Sequence, residues 1–215
     1  MTYPTHKQYA ISFAFIAAML MYFHNMTQIN YYLALPVIIL VSKYGGLFPD
    51  IDHNWQNVKD KTVPNWIINK LIHLTGGKHR SWQTHSIDIV FLVTVLSYAG
   101  PELLLKYGYI SLVNKEVLGI LMISFSAGWI SHIVADMFTS AGVRLFCWNK
   151  KLTVKLVPKN IGKLRFNTGH EWEEFVYRNV KSINIILGLI CVLFPIILAV
   201  INKDISNITQ YISFK

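Results

Sequence analysis

Charge is scarce in this chain. Of its 215 residues only 14% are Asp, Glu, Lys or Arg, while 53% are hydrophobic; a soluble domain carries about 25% charged residues. Cysteine is nearly absent, and Cys147 and Cys191 form no C-x-x-C pair, which excludes a disulfide framework. Cys191 sits inside an apolar run and reads as packing. The sequence has no phosphate-cradling glycine loop, no serine or cysteine in a nucleophile setting and no internal repeat. P-loop chemistry and covalent catalysis at Ser or Cys are left without residues. No nucleic-acid-binding motif accompanies the formal net charge of +9. No A-x-A-like site follows the first apolar run, and it lacks a basic n-region beyond His6 and Lys7, so it reads as a mature helix rather than a signal peptide.

What the chain does have is long apolar runs. Five candidate spans fall at roughly 8–24, 31–48, 87–110, 117–140 and 182–202, near the ~20 residues that cross a bilayer. The second is short and carries Lys43, Gly45 and Gly46; the third contains Pro101 and Glu102, expected to bend or end it. A soluble all-α protein with buried helices is the competing fold, and five such runs in one chain of this length argue against it. The expected architecture is all-α: a polytopic helical membrane protein of about five transmembrane helices, with residues 1–215 forming a single integral-membrane domain.

Lys and Arg gather in two segments. The first holds Lys59, Lys61, Lys70, Lys78 and Arg80; the second holds Arg144, Lys150, Lys151, Lys155, Lys159, Lys163, Arg165, Arg178 and Lys181. The connection near residues 25–30 has no charge, and the one near 107–116 has only Lys115 and Glu116. Basic loops stay in the cytoplasm, and two spans separate these two, so both can be cytoplasmic at once. The expected topology is N-terminus in the cytoplasm and C-terminus outside. The excess of positive charge then serves topology and attraction to anionic lipid headgroups, with no nucleic-acid partner.

The unusual polar residues fall at one level of this scheme. His6 precedes the first span; "FPDIDH" with Asp50, Asp52 and His53 ends the second; "KHRSWQTHS" with His79 and His85 leads into the third, with Asp88 in its first turn. His132 and Asp136 lie in the last third of the fourth, and "NTGHEWEEFVYR" with His170, Glu171, Glu173 and Glu174 precedes the fifth. All sit at or near the expected cytoplasmic end, where ionisable groups close to a bilayer are costly and usually functional. Imidazole nitrogens and carboxylate oxygens are the donors of a catalytic zinc, typically three protein ligands and an open position; two ions sharing aspartates can clamp a phosphoryl group. His132 and Asp136, four apart, share a helical face. Asp50 and Asp52, two apart after Pro49, point the same way if that segment is extended. Asp88, three after His85, is placed to orient its ring.

Each residue also has an ordinary role. A lone histidine at an interface is usually a satisfied polar group, and His132 with Asp136 can be a structural pair. Asp50 and Asp52 can cap a helix, and Glu171, Glu173 and Glu174 suit a helix start. Trp55, Trp66, Trp82, Trp129, Trp148 and Trp172 read as interfacial anchors. Convergence on one face favours the metal reading over all of these holding at once.

These motifs resemble the YdjM-like family of bacterial inner-membrane proteins. The resemblance runs in order from His6 to about Glu174. Its proline-aspartate-x-aspartate-histidine, histidine-arginine-x-x-x-threonine-histidine-serine and serine-histidine-x-x-x-aspartate patterns stand intact at residues 49–53, 79–86 and 131–136. The glycine that precedes the family's first histidine is Thr5 here, and its last motif maps to Gly169 and Glu173. The resemblance implies a metal-dependent hydrolase of the bacterial inner membrane and, as in some members, a LexA-like soluble partner. A weaker likeness, through the histidine-x-x-x-aspartate pair, is to zinc-dependent phospholipases C and related nucleases.

The expectation is therefore a membrane hydrolase of a lipid phosphoester or lipid-linked substrate. His6, Asp50, Asp52, His85, His132 and Asp136 would hold one or more divalent ions, zinc first and manganese second, with His53 and His79 as further ligands. Glu173, or a spare aspartate such as Asp52, would act as general base, and Arg80 and Arg144 would bind the substrate phosphate. Two competitors are a membrane tether for a soluble partner and an ion-coupled carrier; the second would place its site near the midplane, often within repeated halves.

Overall fold

In the computed structural model, residues 2–23, 30–157 and 171–201 are described. The five expected spans all form helices: α1 (Tyr3–Phe23), α2 (Tyr31–Gly45), α5 (Ile87–Lys106), α6 (Leu112–Met137) and α7 (Glu171–Ile201). Between α2 and α5 lie the amphipathic α3 (Val63–Leu74) and the single turn α4 (Trp82–His85). Among the described residues four segments are long and apolar enough to cross a membrane, namely Tyr31–Asp52, Ile87–Lys106, Leu112–Met137 and Glu171–Leu198. The first helix is 21 residues long, but its opening turns carry Thr5, His6, Lys7 and Gln8. Pro101 does not end α5, which runs on to Lys106. The chain after α6 is not all loop: strands β1 (Val143–Phe146) and β2 (Asn149–Val154) form an antiparallel hairpin with Val143 opposite Val154.

Helix α6 is the axis. It packs against α1, α2 and α5, and α1 also touches α2 and α7. More than half of the apolar window of α6 is buried inside the protein, against 17% for α5 and α7. The rest of those two faces outward, as lipid-contacting helices do. The core between α1, α2 and α6 is built from small residues: Ala14, Ala17, Ala18, Ala34 and Ala127 beside Met21, Leu35 and Ile38. Small side chains let backbones come close, and in a membrane close packing replaces the hydrophobic effect as the source of helix association. Polar bonds tie α2 to α6 and fasten α7 to α1 and α2. Ser42 donates to the Ser124 carbonyl at 2.8 Å, Tyr31 to the Cys191 carbonyl at 3.0 Å and Ser12 to Asn184 Oδ1 at 2.6 Å.

The closest approach is between α2 and α6. A Cβ built on Gly128 would lie 2.0 Å from the Ser42 carbonyl oxygen, and one on Gly45 would lie 2.1 Å from that of Phe125. Both obstacles are backbone, so neither can swing aside. Gly128→Ala should therefore force the helices apart and lower stability by about 1–3 kcal/mol, the usual cost of overpacking. A thermal-unfolding comparison in detergent checks this, and an unchanged midpoint would contradict the contact.

Candidate metal centre

The polar residues meet at one end of the bundle. His6 comes from the first turn of α1, Asp50 and Asp52 from a 3₁₀ turn (Phe48–Asp52) after α2, His79 from the loop before α4, His85 from α4, and His132 and Asp136 from the C-terminal half of α6. His6, Asp52, His85, His132 and Asp136 are all buried. His132 and Asp136 do share a face, with Nε2 of the ring 3.9 Å from Oδ2 of the carboxylate.

The aspartate pair departs from its expectation. Pro49 opens a 3₁₀ turn rather than an extended segment, and two residues in that helix are about 240° apart around the axis. Asp50 and Asp52 therefore diverge. Asp52 turns inward, where Oδ2 accepts from Thr84 Oγ1 at 2.7 Å, from the Ser81 amide at 3.1 Å and from His85 Nδ1 at 3.1 Å, while Oδ1 meets His79 Nδ1 at 3.1 Å. It is saturated with donors and organises imidazoles. Asp50 remains partly exposed, near His53 Nε2 and His132 Nε2, each at 3.9 Å.

Asp88 also has a different job from the expected one. Its Oδ2 accepts from the Cys147 amide at 2.9 Å and so fastens the hairpin to α5; His85 is oriented by Asp52 instead. Trp129 is not an interfacial anchor. It is buried, and its indole N–H donates to the Thr84 carbonyl at 2.9 Å, steadying the turn that carries His85.

The hydrogen bonds set the ring tautomers. His132 Nδ1–H donates to the Gly46 carbonyl at 2.8 Å, and His85 Nδ1–H donates to Asp52. Each ring is left with a bare Nε2, and those two nitrogens face one another at 3.2 Å. The Asp136 Oδ2 oxygen lies 3.8 Å from one and 3.9 Å from the other. Two lone pairs and a carboxylate converging in a buried site need a positive charge among them, supplied by a proton or a metal ion. Burial opposes charging of the His85 ring, but the Asp52 carboxylate, with Asp136 and Asp50 beyond it, holds its pKa above the ordinary histidine value. His53 moves the other way: burial and the His79 ring outweigh Asp50 and Asp52 and lower its pKa. His79 stacks on it at 3.4 Å.

Three groups of donor atoms, each within 4.8 Å, fit a cation: His6 with His132 and Asp136; Asp50 with His85 and His132; Asp50 with His53 and His79. Shared His132 and Asp50 join them into one cluster. His6 stacks on His132 at 3.7 Å, and its buried Nδ1 has no hydrogen-bond partner among the described residues. A cavity of about 240 Å³ adjoins the cluster, with His6, Asp50, His53, His79, Arg80 and Asp136 in its wall.

The two arginines separate. Arg80 reaches Asp136 Oδ2 at 3.4 Å from the cavity wall. Arg144 lies on β1 opposite Thr153 and bridged to Ser86, and does not line the cavity. Glu173 is buried but also lies off the cavity, accepting from the amide and hydroxyl of Thr2 near the start of α1. His170 and Gly169 lie outside the described residues. Sequence reasoning overlooked the Gly46 carbonyl, Thr84 and Asn69. Thr84 stands directly before His85 in a stretch already marked, whereas a backbone carbonyl leaves no residue-type signal. Asn69 donates to the carbonyls of Ile51 at 2.5 Å and His53 at 2.8 Å, holding the ligand loop onto α3.

Arg80 has φ +61°, the only positive φ of a non-glycine among the described residues. A side chain there costs about 1–2 kcal/mol of backbone strain. Arg80→Gly should accordingly melt higher than Arg80→Ala, by a difference of about 1 kcal/mol, although both lose the guanidinium. Equal melting in the two variants would remove the strain.

Comparison with curated proteins and with solved structures finds no match to this chain. The family model described as YdjM inner membrane protein matches residues 1–205, nearly the whole sequence. The chain, with its apolar helices and its buried histidine–aspartate cluster, belongs to the YdjM inner membrane protein family.

Proposed function

We propose that this protein is a metal-dependent hydrolase that cleaves a phosphoester of a lipid or lipid-linked substrate at the membrane surface. The observation that carries the reading is the facing pair of bare nitrogens, His85 Nε2 and His132 Nε2, at 3.2 Å. Two imidazoles bound tetrahedrally to one zinc at 2.0–2.1 Å would place their nitrogens about 3.3 Å apart. His6, His132, His85 and Asp136 would hold one ion, and Asp50, His53 and His79 a second; zinc suits this donor set best and manganese is the second choice. When bound, such an ion makes water nucleophilic at neutral pH and offsets charge on a phosphoryl oxygen.

The chain's own residues supply the rest. Asp52 holds the tautomers of His85 and His79 from behind. Arg80, on the cavity wall, offers a guanidinium to a phosphate while remaining beside Asp136. Asp50, partly open to the cavity, would face incoming substrate from the ligand set of the second ion. Glu173 acts by seating Thr2, and so His6, rather than by reaching substrate. A lipid substrate suits a cluster at the end of the bundle, at the depth of headgroups. We place that end in the cytoplasm, with the N-terminus inside and the C-terminus outside, because the basic segments flank it. A reporter enzyme that works only outside the cytoplasm should be active fused after Ile201 and inactive fused at Trp148; the reverse pattern overturns the orientation.

Elemental analysis of the purified protein should find zinc or manganese at one or more ions per chain, lost in Asp136→Ala. Phosphoester cleavage should disappear with chelator, return with added zinc, and fall about 10–100-fold in Asp52→Asn, the usual cost of losing a group that orients a ligand. Absence of metal from the wild type would sink the proposal. Metal-dependent uptake into proteoliposomes without cleavage would replace it with the carrier. Binding of a LexA-like partner that survives His132→Ala with Asp136→Ala, in a wild type that hydrolyses nothing, would replace it with the tether.

A further inference from the structure

Helix α3 has its polarity turned inside out. Apart from Ile72, its buried side is polar: Asn65 accepts from the Tyr44 hydroxyl at 2.5 Å and donates to the Asp60 carbonyl at 2.9 Å, Asn69 holds the carbonyls of Ile51 and His53, and His73 meets the His53 carbonyl at 3.3 Å. Its outer side is apolar. Val63, Trp66, Ile67, Leu71 and Leu74 recur at helical spacing, and all are exposed, Val63 and Leu74 by 71% and 81%. A helix facing water would show the opposite arrangement.

The helix is 12 residues long, about 18 Å, well short of the roughly 30 Å hydrocarbon layer, so it cannot cross a bilayer. Its Asn65 is held by Tyr44, at the end of α2, and the exposed Leu33, Val37 and Leu40 of α2 belong to a segment apolar enough to span. The apolar side of α3 therefore stands at the end of a segment whose exposed face suits lipid. Around it stand exposed Lys61, Lys70 and Lys78. Lys70 rises from the apolar side itself, with its ammonium 6.0 Å from the Trp66 ring; its long stem allows the charge to reach headgroups while the carbons stay among acyl chains.

We propose that α3 is an in-plane membrane helix. Its Val63–Leu74 stripe is immersed at the boundary of headgroups and acyl chains, and the surrounding lysines contact anionic lipid. Its polar side then seats the segment carrying Asp50 and His53 at the bilayer surface, so the candidate metal loop is mounted on the membrane rather than on the helix bundle alone. The inference stands on the helix and not on hydrolysis, so loss of one reading leaves the other intact.

Spin labels at Ile67→Cys, Leu71→Cys and Leu74→Cys, each in a Cys147→Ser background, test it in vesicles of phosphatidylethanolamine and phosphatidylglycerol. Labels at Leu40→Cys and Lys59→Cys serve as the lipid and water references. Collisions with oxygen relative to a water-soluble nickel chelate should be several-fold higher at the three α3 positions than at Lys59, and close to those at Leu40. Nickel access equal to that at Lys59 overturns the proposal, because the stripe is then in water. Poor access to both reagents also overturns it, because a protein, whether a second copy or another partner, then covers the stripe.

Discussion

The close contact of α2 with α6 governs the site. Gly45 and Gly128 remove the side chains that would hold these helices apart, and only then does the Gly46 carbonyl reach His132 Nδ1 at 2.8 Å. That one bond selects the tautomer, turns Nε2 toward the cluster and fixes the height of α6 relative to the 3₁₀ turn that follows α2. A wider gap would leave a buried carbonyl and a buried N–H unpaired, each at a cost of about 1–3 kcal/mol. The helix packing and the chemistry of the ring are thus the same constraint seen from two sides.

Electrostatic balance is the second constraint. Asp52 and Asp136 are buried among His6, His85 and His132, and Arg80 Nη2 reaches both oxygens of Asp136, at 3.5 and 3.4 Å. A buried carboxylate is tolerated when it is paired or bound to a cation. Asp52 meets that condition with hydroxyl, amide and imidazole donors. Asp136 faces imidazoles and a guanidinium: Oδ1 lies 3.7 Å from His6 Nε2 and 3.5 Å from Arg80 Nη2, and Oδ2 lies 3.4–3.9 Å from Arg80, His85 and His132. One carboxylate is closed by hydroxyl, amide and imidazole donors, and the other stands among three imidazoles and a guanidinium.

Much of this was legible in the sequence, and the reasons for success and failure are physical. Apolar runs announce membrane helices because length and hydropathy are local properties, so α2, α5, α6 and α7 were expected. Ionisable residues in such runs are rare, which made His132, Asp136 and their companions visible before any contact was known. The conformation of "FPDIDH" was misread because Pro49 is compatible with both an extended segment and the start of a 3₁₀ turn, and the choice is made by packing on α3 and α4. Asp88 and Trp129 were misassigned for a related reason: spacing tells which residues share a helical face but not what faces them. The hairpin of β1 and β2 was missed because a short amphipathic pair among lysines carries little periodic signal. Gly45 and Gly46 were noticed only as interruptions of an apolar run, although two small residues there were the mark of a close helix crossing.

The divergence of Asp50 and Asp52 gives the cluster its gradient from rigid to open. Asp52 is locked by Thr84, Ser81 and two histidines, and Thr84 is in turn tied to α6 through Trp129. Among the described residues Asp50 pairs only with histidines, at 3.9 Å, and it faces the cavity. A single turn of 3₁₀ helix thereby separates two chemically identical groups into a fixed one that orients rings and a free one that meets whatever enters. The free one sits on the loop that Asn69 fastens to α3, the element whose outer side is apolar. The inner wall of the site thus belongs to the bundle, whereas its outer wall belongs to a helix with an exposed apolar stripe. A substrate that partitions into lipid would meet that outer wall first.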